Sequence, residues 1–182
     1  MIDFNFNNNK QPKRGSILIS EPFLEDDYFS RSVILLCDHN KEGSFGFVLN
    51  KHVEKSLSEL IDDFPDIHAK LTIGGPVDTS NLFFLHKLGS KLPNSVEISK
   101  NLYLGGDFEL LKDILRDNPK QISSVRFFLG YSGWSNTQLD EELQEKSWLV
   151  LNKYQQDLVF STEDNEVWKH LMESLGGKFE IM

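Results

Sequence analysis

The amino-acid sequence predicts a single α+β domain with a largely antiparallel sheet and about four short helices. Three observations carry this. Short runs of β-branched, aliphatic and aromatic residues recur along the chain, at 16–20, 32–39, 45–50, 82–86 and 125–131. Turn residues such as Asn40-Lys41-Glu42-Gly43 separate neighbouring runs by too few positions for a crossover helix, so hairpins join them. The helical patterns are few and stand apart from the strands, which argues against βαβ winding.

The elements follow in order. Residues 1–14 (MIDFNFNNNKQPKR) are Asn-rich and lack periodicity, and they read as a flexible arm before a domain spanning 15–182. Residues 16–20 and 32–39 are strands, and FGFVLN at 45–50 returns as the second arm of a hairpin. Ser56 with Glu59 forms a capping box ahead of Leu57, Leu60, Ile61 and Phe64 at helical spacing, and Pro65 ends that run. Strands are expected at 71–73, which runs into Gly74-Gly75-Pro76, and at 82–86, 96–98 and 102–104. Asp107 caps a helix with Leu110, Leu111, Ile114 and Leu115 on one face, ended by Asn118-Pro119. A strong strand at 125–131 precedes a second capping box, Ser135 with Gln138, an acidic helix and a strand at 148–151. The last helix places Val167, Trp168, Leu171, Met172 and Leu175 on one face, with Gly176-Gly177 as its C-cap. No repeat or low-complexity tract divides the chain.

Composition bounds the function. The 182 residues are 39% hydrophobic and 26% charged, with 12 Gly and 6 Pro, which excludes a disordered or collagen-like chain. A net charge of −9 and a pI near 5.0 argue against direct binding to a nucleic-acid backbone. The helix after Asp107 mixes Lys112 and Arg116 with Glu109, Asp113 and Asp117, so it offers no basic recognition face. Residues 135–166 hold eight acids against Lys146 and Lys153, a surface suited to a basic partner. A lone Cys37, no leader-like apolar run and no span-length hydrophobic stretch point to the cytoplasm and away from the membrane.

Several side chains invite chemistry. Cys37 and His39 lie two apart on a strand and so share a face, and with His86 they number three donors, but one Cys-x-His without a second paired motif matches no usual zinc spacing. No metal or cofactor is expected. Arg31 and Arg126 each open an apolar strand, where a guanidinium needs a carboxylate, a carbonyl cluster or an anion. An internal pair with an acid such as Asp38 or Asp107 is the plainer expectation. The alternative is an anion site using the backbone N–H groups of Gly74-Gly75-Pro76 or Gly105-Gly106-Asp107, although neither is a phosphate-loop motif and Asp107 would fill its own helix end. Gly130-Tyr131-Ser132-Gly133-Trp134 approaches a nucleophile elbow around Ser132 but carries its second Gly one residue early, and it reads as a tight aromatic-walled turn.

The strings GSILISEPFLEDDYFSRSVILLCDHNKEGSFGFVLNK, GGPV, LFFLH, YLGGD and RFFLGYSGW, followed by QLDEEL and WLV, closely resemble the YqgE/AlgH family of bacterial proteins from about Gly15 to the C-terminal LGGKF. The resemblance implies an α+β domain with a bifurcated sheet curled into a pseudo-barrel, cytosolic, described in places as a transcriptional regulator and bringing no established reaction. His39 and His86 fall where the family motif also has His. Asn50 is a polar residue of that motif, readable as a turn-maker or as a pocket wall. The Asn-rich arm departs from the pattern. Two function classes follow. One is a non-enzymatic regulatory or adaptor domain that binds a small ligand or protein partner, with any effect on transcription indirect. The other is an enzyme for a small anionic or nucleotide-like substrate, with Arg31 or Arg126 holding charge and His39 or His86 moving a proton. The candidate ligand-binding residues are Arg31, His39, Asn50, Gly74, Gly75, His86, Arg126 and Ser132.

Overall fold

A computed structural model describes residues 11–160 and 166–176. Its strands are β1 (Ile17–Ser20), β2 (Val33–Asn40), β3 (Gly43–Val48), β4 (His52–Val53), β5 (Leu71–Ile73), β6 (Val77–His86), β7 (Val96–Ser99), β8 (Leu102–Leu104), β9 (Val125–Ser135) and β10 (Trp148–Leu151). The helices are α1 (Leu57–Leu60), α2 (Phe108–Asp117), α3 (Gln138–Gln144), α4 (Asp157–Phe160) and α5 (Glu166–Gly176). The strands run in the order β10-β1-β2-β3-β9-β6-β8-β7, with β4 and β5 off this path. The sheet is antiparallel apart from the β5–β9 pair, and it curls without closing.

The branch lies at β9. Ile73 of β5 and Leu82 of β6 both pair with Leu129, so β5 and β6 must occupy opposite edges of β9. The three residues between Ile73 and Val77 therefore pass over the β9 backbone. They do so as Gly74-Gly75-Pro76, and a Cβ on Gly75 would stand 2.0 Å from the carbonyl carbon of Tyr131. A Cβ on Gly74 would stand 2.5 Å from the Gly130 oxygen, and one on Gly130 would meet the Gly75 oxygen at 2.6 Å. Only glycine lets two backbones approach this closely. The crossing is bonded on every side: Gly74 N–H donates to Leu129 O at 2.8 Å, while Gly74 O accepts from Val48 N–H at 2.8 Å and from Ser132 Oγ at 3.0 Å. Beyond it β3 takes over the β5 edge of β9, pairing Gly46 with Ser132. The fork of the sheet is this handover.

Strand periodicity sorts the core onto two faces. Ile17, Ile19, Val33, Leu35 and Leu149 face a cluster covered by Trp168 and Met172 of α5. Leu18, Ile34, Leu36, Trp148 and Val150 face the other side, where Leu139 of α3 packs with Trp134. On the β5–β6 arm, Phe127, Leu71 and Phe84 pack under Leu111 and Leu115 of α2. Trp168 also donates its indole N–H to Ser20 O at 2.9 Å, tying α5 to β1.

The local expectations meet mixed outcomes. Asp107 caps α2, accepting from Leu110 N–H at 3.1 Å, and the β2–β3 hairpin turns at Lys41-Glu42. The first capping box does not form: Ser56 Oγ bonds Ser58 Oγ instead, Ile61 is extended, and the helix is one turn long. Of the second, one half forms, with Gln138 Oε1 accepting from Ser135 N–H at 3.0 Å, while Thr137 holds the cap position at φ 64°. The GYSGW segment is not a turn but the continuing strand β9, paired through to Ser135. Five α-helices stand among the described residues where about four were expected, α4 being the unforeseen one. Within the expected arm, Gln11 O accepts from Asn152 Nδ2 at 3.2 Å and Pro12 is buried. Residues 1–10 of that arm and Gly177 of the expected C-cap lie outside the described residues.

A contrast between two glycines tests the crossing. Gly105 has positive φ, at 69°, which Gly75 does not, but nothing lies within 4 Å of an added Cβ at Gly105. Gly105→Ala is expected to cost only the left-handed backbone penalty, about 1–2 kcal/mol. Gly75→Ala is expected to cost more than about 4 kcal/mol or to abolish folding. Denaturant titration of the two variants measures the difference.

Candidate functional site

The sequence-selected polar residues resolve first into groups that hold the fold. Arg126 is fully buried and meets no carboxylate among the described residues. Its Nη1 donates to Val159 O at 2.7 Å, and its Nη2 donates to Leu49 O and, at 2.9 Å, to Thr72 Oγ1. The guanidinium carbon stands 5.3 Å from the centre of the Phe128 ring. The expected ion pair is thus replaced by a carbonyl cluster that joins β9 to the end of β3, to β5 and to α4. Burial pushes the guanidinium pKa down, to about 9, so it stays charged at neutral pH. Arg31 is the opposite case. It sits exposed in a turn at φ 52°, over the Trp168 ring at 5.4 Å, and pairs with neither Asp38 nor Asp107. Asp38 pairs with Arg14 at 3.3 Å.

Asn50 explains how the backbone of that turn is held. Its Nδ2 donates to Arg31 O at 2.8 Å and its Oδ1 accepts from Val33 N–H at 3.0 Å, so the side chain acts as one more rung beside β2. His86 is buried and neutral: Nε2–H lies 2.8 Å from both Gly105 O and Ser95 Oγ, and Nδ1 accepts from Leu88 N–H at 3.1 Å. A carbonyl can only accept, which fixes the Nε2–H tautomer, and burial holds the imidazole pKa below its usual value. Ser132 is buried and spends its hydroxyl on Gly74 O. Gly74 and Gly75 serve the crossing, and the Gly74 N–H is taken by Leu129 O.

Cys37 and His39 do not share a face. The pairing of β2 with β3 shifts between Leu36 and Asp38, and this bulge at Cys37 inverts the alternation. Cys37 turns into the core, where burial above all pushes its thiol pKa up. His39 emerges on the α3 side with Nδ1 2.5 Å from Ser44 Oγ and Nε2 3.8 Å from Asp140 Oδ1. Among the described residues no group of three or more His, Cys, Asp or Glu side chains is placed to hold a metal ion.

Surface shape marks other residues. A cleft of about 640 Å³ opens on the face of β3 and β9, beside the start of β6. Its walls are rings: Tyr131 meets Phe45 edge-to-face at 6.0 Å and Phe83 at 5.7 Å, and Phe47 lies behind, stacked on Phe128 at 4.6 Å. Gly133 leaves β9 bare in the floor, and Asp38 and Glu42 stand on the rim. The bulge contributes here too, since by inverting the alternation it turns Asp38, paired with Phe45, toward the cleft. A second cleft of about 460 Å³ is lined by residues before β1, at the end of β7 and just after it, and after β10. Neither cleft is lined by Arg31, His39, Asn50, Gly74, Gly75, His86, Arg126 or Ser132. The aromatic residues carried a signal in the sequence, odd positions of FGF and of LGYSG, but it reads equally as core until the open end of the sheet is seen.

A forked, open antiparallel sheet in which Asn50, His86, Arg126 and Ser132 bond backbone atoms, with an aromatic cleft at the fork, defines the class of protein by fold and not by reaction. Residues 17–180 match the family described as AlgH-like (DUF179), and the chain belongs to it. It is 45% identical to a UPF0301 protein of Bacteroides thetaiotaomicron over 95% of this chain and 88% of that one. A UPF0301 protein of Cytophaga hutchinsonii is 40% identical, over 93% of each chain. The solution structure of AlgH from Pseudomonas aeruginosa is similar with a TM-score of 0.72 and 26% identity, covering 92% of this chain and 93% of that one. A crystal structure of a Corynebacterium diphtheriae protein shares the fold at a TM-score of 0.74 and 21% identity, over 91% of this chain and 88% of that one.

Arg126 gives the sharpest test of the structural assignment. Arg126→Ala leaves two buried carbonyls and the Thr72 hydroxyl without their donor and opens a void, and it is expected to destabilise by about 3–5 kcal/mol. Arg126→Met keeps most of the volume and removes the buried charge, so its cost is expected to be smaller, about 1–3 kcal/mol. Urea unfolding followed by tryptophan fluorescence compares them.

Proposed function

We propose that this chain is a non-enzymatic cytoplasmic adaptor whose aromatic cleft docks a protein segment carrying an apolar side chain beside a basic one. The observation that carries the reading is the cleft itself: half-buried Phe45, Phe83 and Tyr131 present ring surface to solvent under a rim holding Asp38 and Glu42. Rings in an open groove gain by burial, about 25 cal/mol per Å² of apolar surface removed from water, and the rim selects a cation. The acids of α3, which starts three residues after Ser135 on the cleft wall, add to the negative field. The fully buried Cys37 suits a reducing compartment, and among the described residues no helix is long and apolar enough to cross a membrane. Any influence on transcription would pass through the docked partner, because the net charge of −9 disfavours a direct approach to DNA.

An adaptor is favoured over an enzyme for a small anion by the scatter of the four side chains such an enzyme would use. Arg31 lies over Trp168, Arg126 among carbonyls, His39 by Asp140 and His86 under Gly105, with no shared partner among the described residues.

Gly133 supplies the test. An added Cβ there finds its nearest atom 3.5 Å away, on the Tyr131 ring, so a side chain fits the strand and fills the cleft. Wild-type protein presented to a random-peptide library is expected to enrich sequences with an aromatic or large aliphatic residue next to Lys or Arg. Gly133→Leu is expected to keep the fold and to lose about tenfold or more of the affinity for those peptides. Enrichment of acidic peptides, or equal binding to the variant, would contradict the reading.

A further inference from the structure

The second cleft reverses the sign of the protein. Lys13, Arg14, Lys100 and Lys153 line it together with Gly15, Ser99, Asn152, Tyr154 and Gln156, and among the described residues no acidic side chain lines it. In a chain of net charge −9, four cations around about 460 Å³ repel one another, and among the described residues their one acidic partner is Asp38, paired with Arg14. Among the described residues Lys13, Lys100 and Lys153 form no ion pair.

The walls are also braced. Tyr154 Oη donates to Gly15 O at 2.5 Å, and Asn152 both accepts from Ser16 Oγ and donates to Gln11 O. Gln156 Nε2 donates to Lys100 O at 2.9 Å, Lys13 N–H donates to Ser16 Oγ at 2.9 Å, and Arg14 Nη1 donates to Glu97 O at 3.3 Å. Three segments distant in sequence are thus fastened to one another by side chain to backbone bonds, and each fastening carries a cation on or next to it. Pre-set backbones that present flexible cationic tips are suited to a compact multivalent anion.

We propose that this cleft binds a phosphate-bearing small molecule with at least two phosphoryl groups. Four cations exceed what one carboxylate would neutralise, and the volume exceeds what a single phosphate fills. The site does not depend on the aromatic cleft, with which it shares only the Arg14–Asp38 pair.

The experiment titrates the labelled full chain with inorganic pyrophosphate and, separately, with ADP, and follows the amide spectrum. Saturable shifts confined to residues 13–15, 99–100 and 152–156 are expected, weakening as salt rises. The Lys100→Gln/Lys153→Gln double variant is expected to lose about tenfold or more in affinity while its spectrum stays folded. Lys55→Gln/Lys120→Gln makes the same change in net charge on exposed lysines that line neither cleft, and is expected to lose about twofold at most. Tighter binding of ADP than of pyrophosphate assigns the occupant to the nucleotides, and equal binding assigns it to the diphosphate group alone. Shifts that never saturate, or an equal loss in the two double variants, would overturn the site.

Discussion

Where the chain passes from one edge of β9 to the other, backbone lies directly on backbone. Everything else in the sheet is arranged around that contact. Because Gly74, Gly75 and Gly130 carry no side chains, β5 and β6 can both pair with the middle of β9, and β3 can then take the edge that β5 leaves. The bonds from Val48 N–H and Ser132 Oγ to Gly74 O fasten the crossing segment to both neighbours. Arg126 secures the same region from beneath through Leu49 O, Thr72 and Val159 O. The curl that follows leaves one face of β3 and β9 open at its end, and the aromatic cleft is that opening.

The strands were legible because alternation and apolar runs report burial locally. Residues 17–20, 33–39 and 148–151 are buried almost throughout, and both faces are covered, which is why they read as continuous runs. The one-turn α1 and the partial box at Ser135 show where local capping signals gave way. Ser56 had a nearer hydroxyl, and Thr137 took the cap position in a left-handed conformation. The crossing was visible only as a Gly-Gly-Pro, since nothing in a sequence says which backbone a glycine faces. The bulge at Cys37 was hidden for a related reason: a one-residue insertion between paired strands leaves no mark in the composition of either.

The polar residues that stood out for chemistry are conspicuous because burial is costly, and burial is also what makes them structural. Asn50 and Ser132 bond backbone atoms, while Arg126 and His86 bond backbone together with the hydroxyls of Thr72 and Ser95, which costs less than leaving those groups bare; only the Arg126 Nε–H among these finds no partner among the described residues. The residues with free capacity are plainer: half-buried rings in one cleft, ordinary lysines in the other. They announce themselves by position, which only the fold supplies. The two clefts meet at the Arg14–Asp38 pair, 3.3 Å long and partly exposed, with its cation in one wall and its anion in the other. An anion drawn to Arg14 therefore competes with Asp38, and a cation drawn to Asp38 competes with Arg14.

The crossing should make one cooperative unit of the two arms of the sheet. Native-state amide exchange across a denaturant series measures this directly. The amides of Val48 and Gly74 should open only with the whole molecule. Those of Leu36 in the β1–β2 arm and Phe127 in the β5–β6 arm should converge on the same free energy of opening. Exchange of the β1–β2 arm at a distinctly lower free energy, while Gly74 and Phe127 stay protected, would show that the arms open separately and that the crossing does not hold them together.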